Sequence, residues 1–229
     1  MHPLDNVIWQ ALSTRQTQFA ESYDGARRFI PEVTLLAGFR DRGPEGYAAL
    51  AGLLGPRSTA GIFLDDPYEP HAGWEFVAGA PLLQMVCENG PGSVTARSAF
   101  DHELVELGEK DSPEMVELTA LTKPGPFGSR THELGTYLGI RRKGKLVAMA
   151  GERLKVPGHT EVSAVCTHPD HLGKGYAQTL MSEVIKRIRE RGETPFLHVR
   201  ADNTRAVTIY ERLRFRIRLR GHFAVLRKI

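Results

Sequence analysis

The stretch Val165-Cys166-Thr167-His168-Pro169-Asp170-His171-Leu172-Gly173-Lys174-Gly175-Tyr176-Ala177 decides the fold. It reads as a strand that enters a glycine-bearing turn and continues directly into a long helix. Such a turn leaves the first amide N–H groups of the helix without carbonyl partners, at the positive end of the helix dipole. That is a cradle for a phosphate or pyrophosphate. Gly173 and Gly175 have no side chain to keep a ligand off the backbone, and Lys174 adds a mobile positive charge. The helix that follows carries Tyr176, Ala177, Leu180, Met181, Val184, Ile185 and Ile188 as one apolar stripe, with Lys186, Arg187 and Arg189 outside it.

Working outward, residues 160–167 form the strand that feeds the turn, and 196–200 form the next strand. A strand, a helix of this length and a second strand predict a right-handed crossover with the two strands parallel. Asn203-Thr204-Arg205-Ala206-Val207-Thr208-Ile209-Tyr210 opens a second helix, over 203–213, and places a phenol on it. Strands at 215–219 and 223–226 close the chain. Upstream, 135–141 and 145–153 form a hairpin through Lys143-Gly144, and 103–107 is a short strand. Ser112-Pro113-Glu114 opens a helix, with Ser112 as cap and proline at the first helical position. Pro124-Gly125-Pro126-Phe127-Gly128 is a loop over a substrate entrance.

In the first part of the chain, Asp5 or Asn6 caps a helix carrying Val7, Ile8, Ala11 and Leu12. A second helix over 47–54 ends at Gly55-Pro56, and strands follow at 60–64 and 81–87. Asn89-Gly90-Pro91-Gly92 is the densest turn signal. It divides the chain into a smaller α/β domain, 1–95, and a mixed α/β domain, 96–229.

The chain of 229 residues is 41% hydrophobic and 25% charged, the composition of a globular protein rather than a disordered one. Its net charge of +3 suits an anionic ligand but falls short of a nucleic-acid binder. Cys87 and Cys166 lie far apart in apolar runs, so two free thiols are expected, as in a reducing cytoplasm. No signal peptide opens the sequence, and no window reaches the ~18 apolar residues that cross a bilayer. A cytoplasmic location and no membrane partner are the expectation. His168-Pro169-Asp170-His171 lacks a cysteine at ligand spacing and reads as a loop, so no metal is expected. Gly173-Lys174 lacks the earlier glycine and the following Ser or Thr of a P-loop. Arg214, Arg216, Arg218 and Arg220 alternate with Phe215, Ile217 and Leu219, which predicts that these arginines share one solvated strand face.

The glycine turn and the Asn203–Tyr210 segment resemble the cofactor-binding signature and following motif of the GNAT (Gcn5-related N-acetyltransferase) family. His2-Pro3-Leu4-Asp5-Asn6 and Glu161-Val162-Ser163-Ala164-Val165-Cys166-Thr167-His168-Pro169 are similar to its FR47-like branch. The GNAT likeness spans roughly the last 130 residues and the branch likeness most of the rest. The resemblance implies a mixed, mostly antiparallel central sheet with flanking helices, in which two neighbouring parallel strands splay to admit a cofactor arm. Residues 1–95 would then be a degenerate half of the same kind or a separate small domain.

The implied cofactor is acetyl-coenzyme A. Its pyrophosphate would meet Leu172, Gly173, Lys174, Gly175, Tyr176, Ala177 and Gln178. The backbone of Val165, Cys166 and Thr167 would pair with its pantetheine amides, and one N–H would polarise the thioester. Asn203 caps its helix and touches the arm, and Tyr210 protonates the departing thiolate. For the base that takes the amine proton, Glu161 ranks first, then His198, then Glu152. Leu172 stands where this family usually has Arg or Gln, so one anion contact is lost at about 1–3 kcal/mol. Lys174 or His171 compensates. Arg214 stands where a glycine is common. The acceptor would be a small-molecule or peptide amine, with no nucleic acid as partner and homodimerisation left open. The alternative is a non-catalytic coenzyme A-binding or sensing module.

Overall fold

The computed structural model describes residues 2–87 and 103–229. Eleven strands and five α-helices make up the described chain. In order they begin α1 Val7–Ser13, β1 Ala20–Tyr23, β2 Ala26–Phe29, β3 Ala37–Phe39, α2 Pro44–Leu53, β4 Thr59–Leu64 and β5 Trp74–Cys87. They continue β6 Leu104–Leu107, α3 Ser112–Thr122, β7 Tyr137–Arg142, β8 Lys145–Val156 and β9 His159–Thr167. The chain closes with α4 Tyr176–Glu190, β10 Thr194–Arg200, α5 Thr204–Arg212 and β11 Phe215–Lys228.

Eight strands form one mixed sheet in the order β4-β11-β5-β10-β9-β8-β7-β6, and β1-β2-β3 form a small antiparallel sheet. Within the large sheet only β9 and β10 pair in parallel. The fold is therefore the mixed, mostly antiparallel sheet with flanking helices that the sequence implied. The boundary expected at 95 lies outside the described residues. Strands β4 and β5 precede it and pair directly with β10 and β11, so the sheet runs through both parts of the chain.

One face of the sheet is covered by α4, whose Leu180, Met181, Val184, Ile185 and Ile188 pack on Leu83, Met85, Val147, Val162 and Leu197. Each such burial contributes about 1.5–3 kcal/mol. On other parts of the molecule, α1 packs on Leu154, Val156 and Phe196, and α3 packs on Met149 and Cys166. Both cysteines are free and buried. No described helix is long and apolar enough to cross a membrane.

Several local readings change. Strand β5 begins at Trp74 rather than 81, and the two expected terminal strands are one, β11. Asp111, not Ser112, holds the cap position of α3. Asn6 holds that of α1 without a side-chain cap bond, its amide donating instead to the Phe39 carbonyl. The arginines of β11 do not share one face. Arg218 shares the face of Arg216 and donates to Gln84 Oε1 at 2.8 Å, while a bulge between Ile217 and Leu219 shifts Arg220 to the opposite face, across from Leu83.

Candidate active site

The parallel pair splays early. Strands β9 and β10 are in register only at His159↔Thr194, Thr160↔Pro195 and Glu161↔Phe196. Beyond that point β9 stays with β8 to Thr167, and β10 stays with β5 to Arg200. The wedge between them opens into a cavity of about 470 Å³. Its walls include residues 162–167 of β9, His198 and Arg200 of β10, Asn203 and Tyr210 of α5, and the loop 123–126.

Two bulges shape this wedge. On β9, Ala164 and Val165 together oppose Ala150, and Ala164 takes φ +52. A non-glycine residue in that region is strained, and the extra residue bends the strand. It also returns Val165 to the face of Val162, while Ala164 and Cys166 turn toward α3. On β8, Arg153 and Leu154 together oppose Glu161. Arg153 follows Glu152 onto the Glu161 face, and the second bulge adds Leu154, whose N–H lies 3.3 Å from Glu161 Oε2.

Glu161 is wholly buried and hydrogen-bonded on both oxygens. Arg153 Nε and Nη2 donate to it at 2.8 Å each, and His198 Nδ1 lies 2.7 Å from Oε1. Burial alone would raise the Glu161 pKa, but Arg153 and then His198 outweigh it and hold the carboxyl at about 2. A carboxylate in that state is a weak base. Glu152 is buried too, paired with Lys155 at 2.9 Å and Arg191 at 2.7 Å, and it does not line the cavity.

His198 does line it, with its ring 4.3 Å from that of Phe63. Its tautomer follows from its neighbours. Arg218 can only donate, so the oxygen of Gln84 faces Arg218, and the Gln84 amide nitrogen faces the Leu4 carbonyl at 3.0 Å and His198 Nε2 at 3.2 Å. Nε2 therefore accepts, and Nδ1–H donates to Glu161. Arg218 is itself ion-paired with Asp5. Gln84 and Arg153 escaped notice in the sequence, although a glutamine inside the apolar run Pro81–Cys87 is the signal that could have found the first.

Tyr210 reaches the cavity from α5, and burial, with a smaller effect from the nearby Cys166 thiol, pushes it up to about 12. Among the described residues its hydroxyl has no hydrogen-bond partner. Asn203 caps α5, its Oδ1 accepting from Ala206 N–H at 3.1 Å. Burial raises the Cys166 thiol to about 11, so it is protonated at neutral pH and a poor nucleophile.

From Thr167 the chain passes through a short 3₁₀ turn, Pro169–His171, to the glycines. Gly173 and Gly175 have φ +79 and +75, and the first bond of α4 runs from Thr179 N–H to the Gly175 carbonyl. The first-turn amides of α4 have no intrahelical acceptor, as at any helix start. A Cβ on Gly173 would meet nothing within 4 Å, so the approach to the backbone is open. Leu172 is half exposed and brings no charge, while Lys174 Nζ lies 3.4 Å from His171 Nδ1. The rings of His168 and His171 stand 5.9 Å apart, and no cluster of metal-ligating side chains occurs among the described residues.

The family model described as FR47-like protein matches residues 137–224. A GNAT-family protein from Novosphingobium aromaticivorans, of solved structure, is 37% identical with 100% of each chain covered and a TM-score of 0.90. A GCN5-related N-acetyltransferase from Kribbella flavida is 15% identical, with 98% of this chain and 96% of that one covered and a TM-score of 0.58. A GCN5-related N-acetyltransferase-like protein from Streptococcus suis is 13% identical, with coverages of 97% and 92% and a TM-score of 0.60. At such identities the last two likenesses show the fold alone. No curated protein matches the sequence.

Proposed function

The chain belongs to the GNAT family of acetyltransferases, and on that footing we propose that it moves acetyl from acetyl-coenzyme A to a primary amine by direct attack. The observation that carries this reading is the splayed β9/β10 pair, whose open strand edge at Val165–Thr167 leads straight into the glycine turn. An unpaired strand edge suits the amides of a pantetheine arm, and the amides at the start of α4 suit a pyrophosphate. Lys174 and His171 stand where Leu172 gives no cationic contact.

Acetyl-coenzyme A supplies the acyl group as an activated thioester. A β9 amide near the bulge polarises its carbonyl and receives the charge that develops on oxygen. His198 takes the amine proton at Nε2, the Gln84 N–H giving way to the amine as it does so. Glu161 holds the ring in that tautomer and faces the imidazolium that forms, so its part is positioning. Tyr210, protonated across the neutral range, donates to the departing thiolate. Glu152, on ion pairs away from the cavity, takes no part.

Thiol release from acetyl-coenzyme A against a panel of primary amines tests the activity, and no release with any of them would remove it. Tyr210→Phe should lower kcat about 10²-fold with little change in acetyl-coenzyme A KM. Equal rates across pH would exclude the phenol as the acid. Gly173→Val forces a branched residue into a left-handed conformation at about 1–2 kcal/mol. Its coenzyme A Kd, read by calorimetry, should rise about tenfold; an unchanged Kd would take the glycine turn out of the site.

A further inference from the structure

We infer that the acceptor is a free α-amino acid with an apolar side chain, its carboxylate held by Arg153 Nη1 and Lys123. This deepens the amine-acetylating reading and rests on it. Arg153 is more than nine-tenths buried, and Glu161 takes only its Nε and Nη2. Nη1 makes no hydrogen bond among the described residues. Arg153 lines the cavity, and Nη1 lies 3.8 Å from where a Cβ on Gly125 would stand. A buried guanidinium with an unused edge facing a cavity is half of a carboxylate site.

Placement favours the acceptor over the cofactor. Glu161 lies where β9 and β10 still pair, at the closed end of the wedge, and Arg153 is bound to it there. The strand edge assigned to the pantetheine arm starts four residues further along, about 10–13 Å by strand rise across the bulge. Arg153 Nη2 and His198 Nδ1 also share one oxygen, Glu161 Oε1, at 2.8 and 2.7 Å. The guanidinium and the imidazole are thus only a few ångström apart. That spacing suits a carboxylate and an amine on the same carbon.

Charge agrees. Among the described residues no Asp or Glu lines the cavity, while Lys123, Arg153 and Arg200 do. Arg200 is paired with Asp202, whereas Lys123 has no ion pair among the described residues. A polyamine or other multiply cationic acceptor would find nothing to neutralise it. Leu36, Phe63, Leu82 and Phe223 supply apolar wall for a side chain.

The test measures kcat/KM, per free amine, for L-phenylalanine, L-phenylalaninamide and phenethylamine with the full chain. Phenylalanine should exceed both by about ten- to a hundredfold. Lys123→Ala, an exposed change that spares the buried ion pair, should remove most of that advantage. Amide or phenethylamine matching phenylalanine, a preference for spermidine, or a Lys123→Ala that slows all three amines equally would each overturn the inference. In those cases the acetyl transfer itself stands. Coenzyme A binding without transfer to any amine would instead overturn the activity, and this inference with it.

Discussion

Glu161→Ala should destabilise the fold by about 3–5 kcal/mol, because it strands the Arg153 guanidinium in a buried site without its counter-ion. Arg153 gives two of its nitrogens to that one carboxylate, and Leu154 N–H adds a longer contact at 3.3 Å. Denaturant unfolding with a constant m-value reads the change. The paired replacement Arg153→Met with Glu161→Leu should recover most of the loss, since two apolar side chains need no mutual charge. If the single variant unfolds at the wild-type midpoint, the pair does not carry the stability assigned to it.

The same pair sets a pH dependence. Glu161 titrates at about 2 in the fold against an ordinary value of 4.5, so the folded state binds its proton less readily than the unfolded chain. The resulting stabilisation, about 3 kcal/mol, is fully present above pH ~4.5 and is lost as pH falls toward 2. Melts from pH 6 down to pH 3 should show that loss, and Glu161→Gln should flatten it. A wild-type slope unchanged in the glutamine variant would assign the acid sensitivity to other carboxylates.

The second large effect concerns His198. His198→Ala should lower kcat by about 10²–10⁴-fold while coenzyme A affinity holds. Added imidazole should restore part of the rate. A variant that keeps the wild-type kcat would show that the amine loses its proton elsewhere. His198 is proposed as the base over Glu161 for a physical reason. The carboxylate is spent on Arg153 and His198 in a sealed site, whereas the ring borders the cavity and its Nε2 is kept an acceptor by Gln84.

Much of the frame was legible in the residues. The α4 stripe, the glycine turn with two left-handed residues, the Asn203 cap and the parallel pair flanking α4 all rest on local pattern, and all appear in the fold. The small sheet β1-β2-β3 is not legible in the sequence, because strands of three or four residues carry too little alternation to register. Strand β5 extends further back than the expected 81–87 because Gly79 and Pro81, which punctuate a sequence, are accommodated inside one continuous strand.

Local sequence alone places the handover from a strand to a helix through a phosphate-sized turn, for that depends on neighbours along the chain. Which residues of a strand share a face came from the tertiary structure, through bulges at 153–154 on β8, 164–165 on β9 and 218–219 on β11. A two-residue alternation cannot say where one residue is extra, because only the partner strand counts it. Each extra residue turns the following side chains to the other face. In this way Lys155 returns to the face of Glu152, Val165 returns to the α4 face, and Arg220 leaves the face of Arg216 and Arg218.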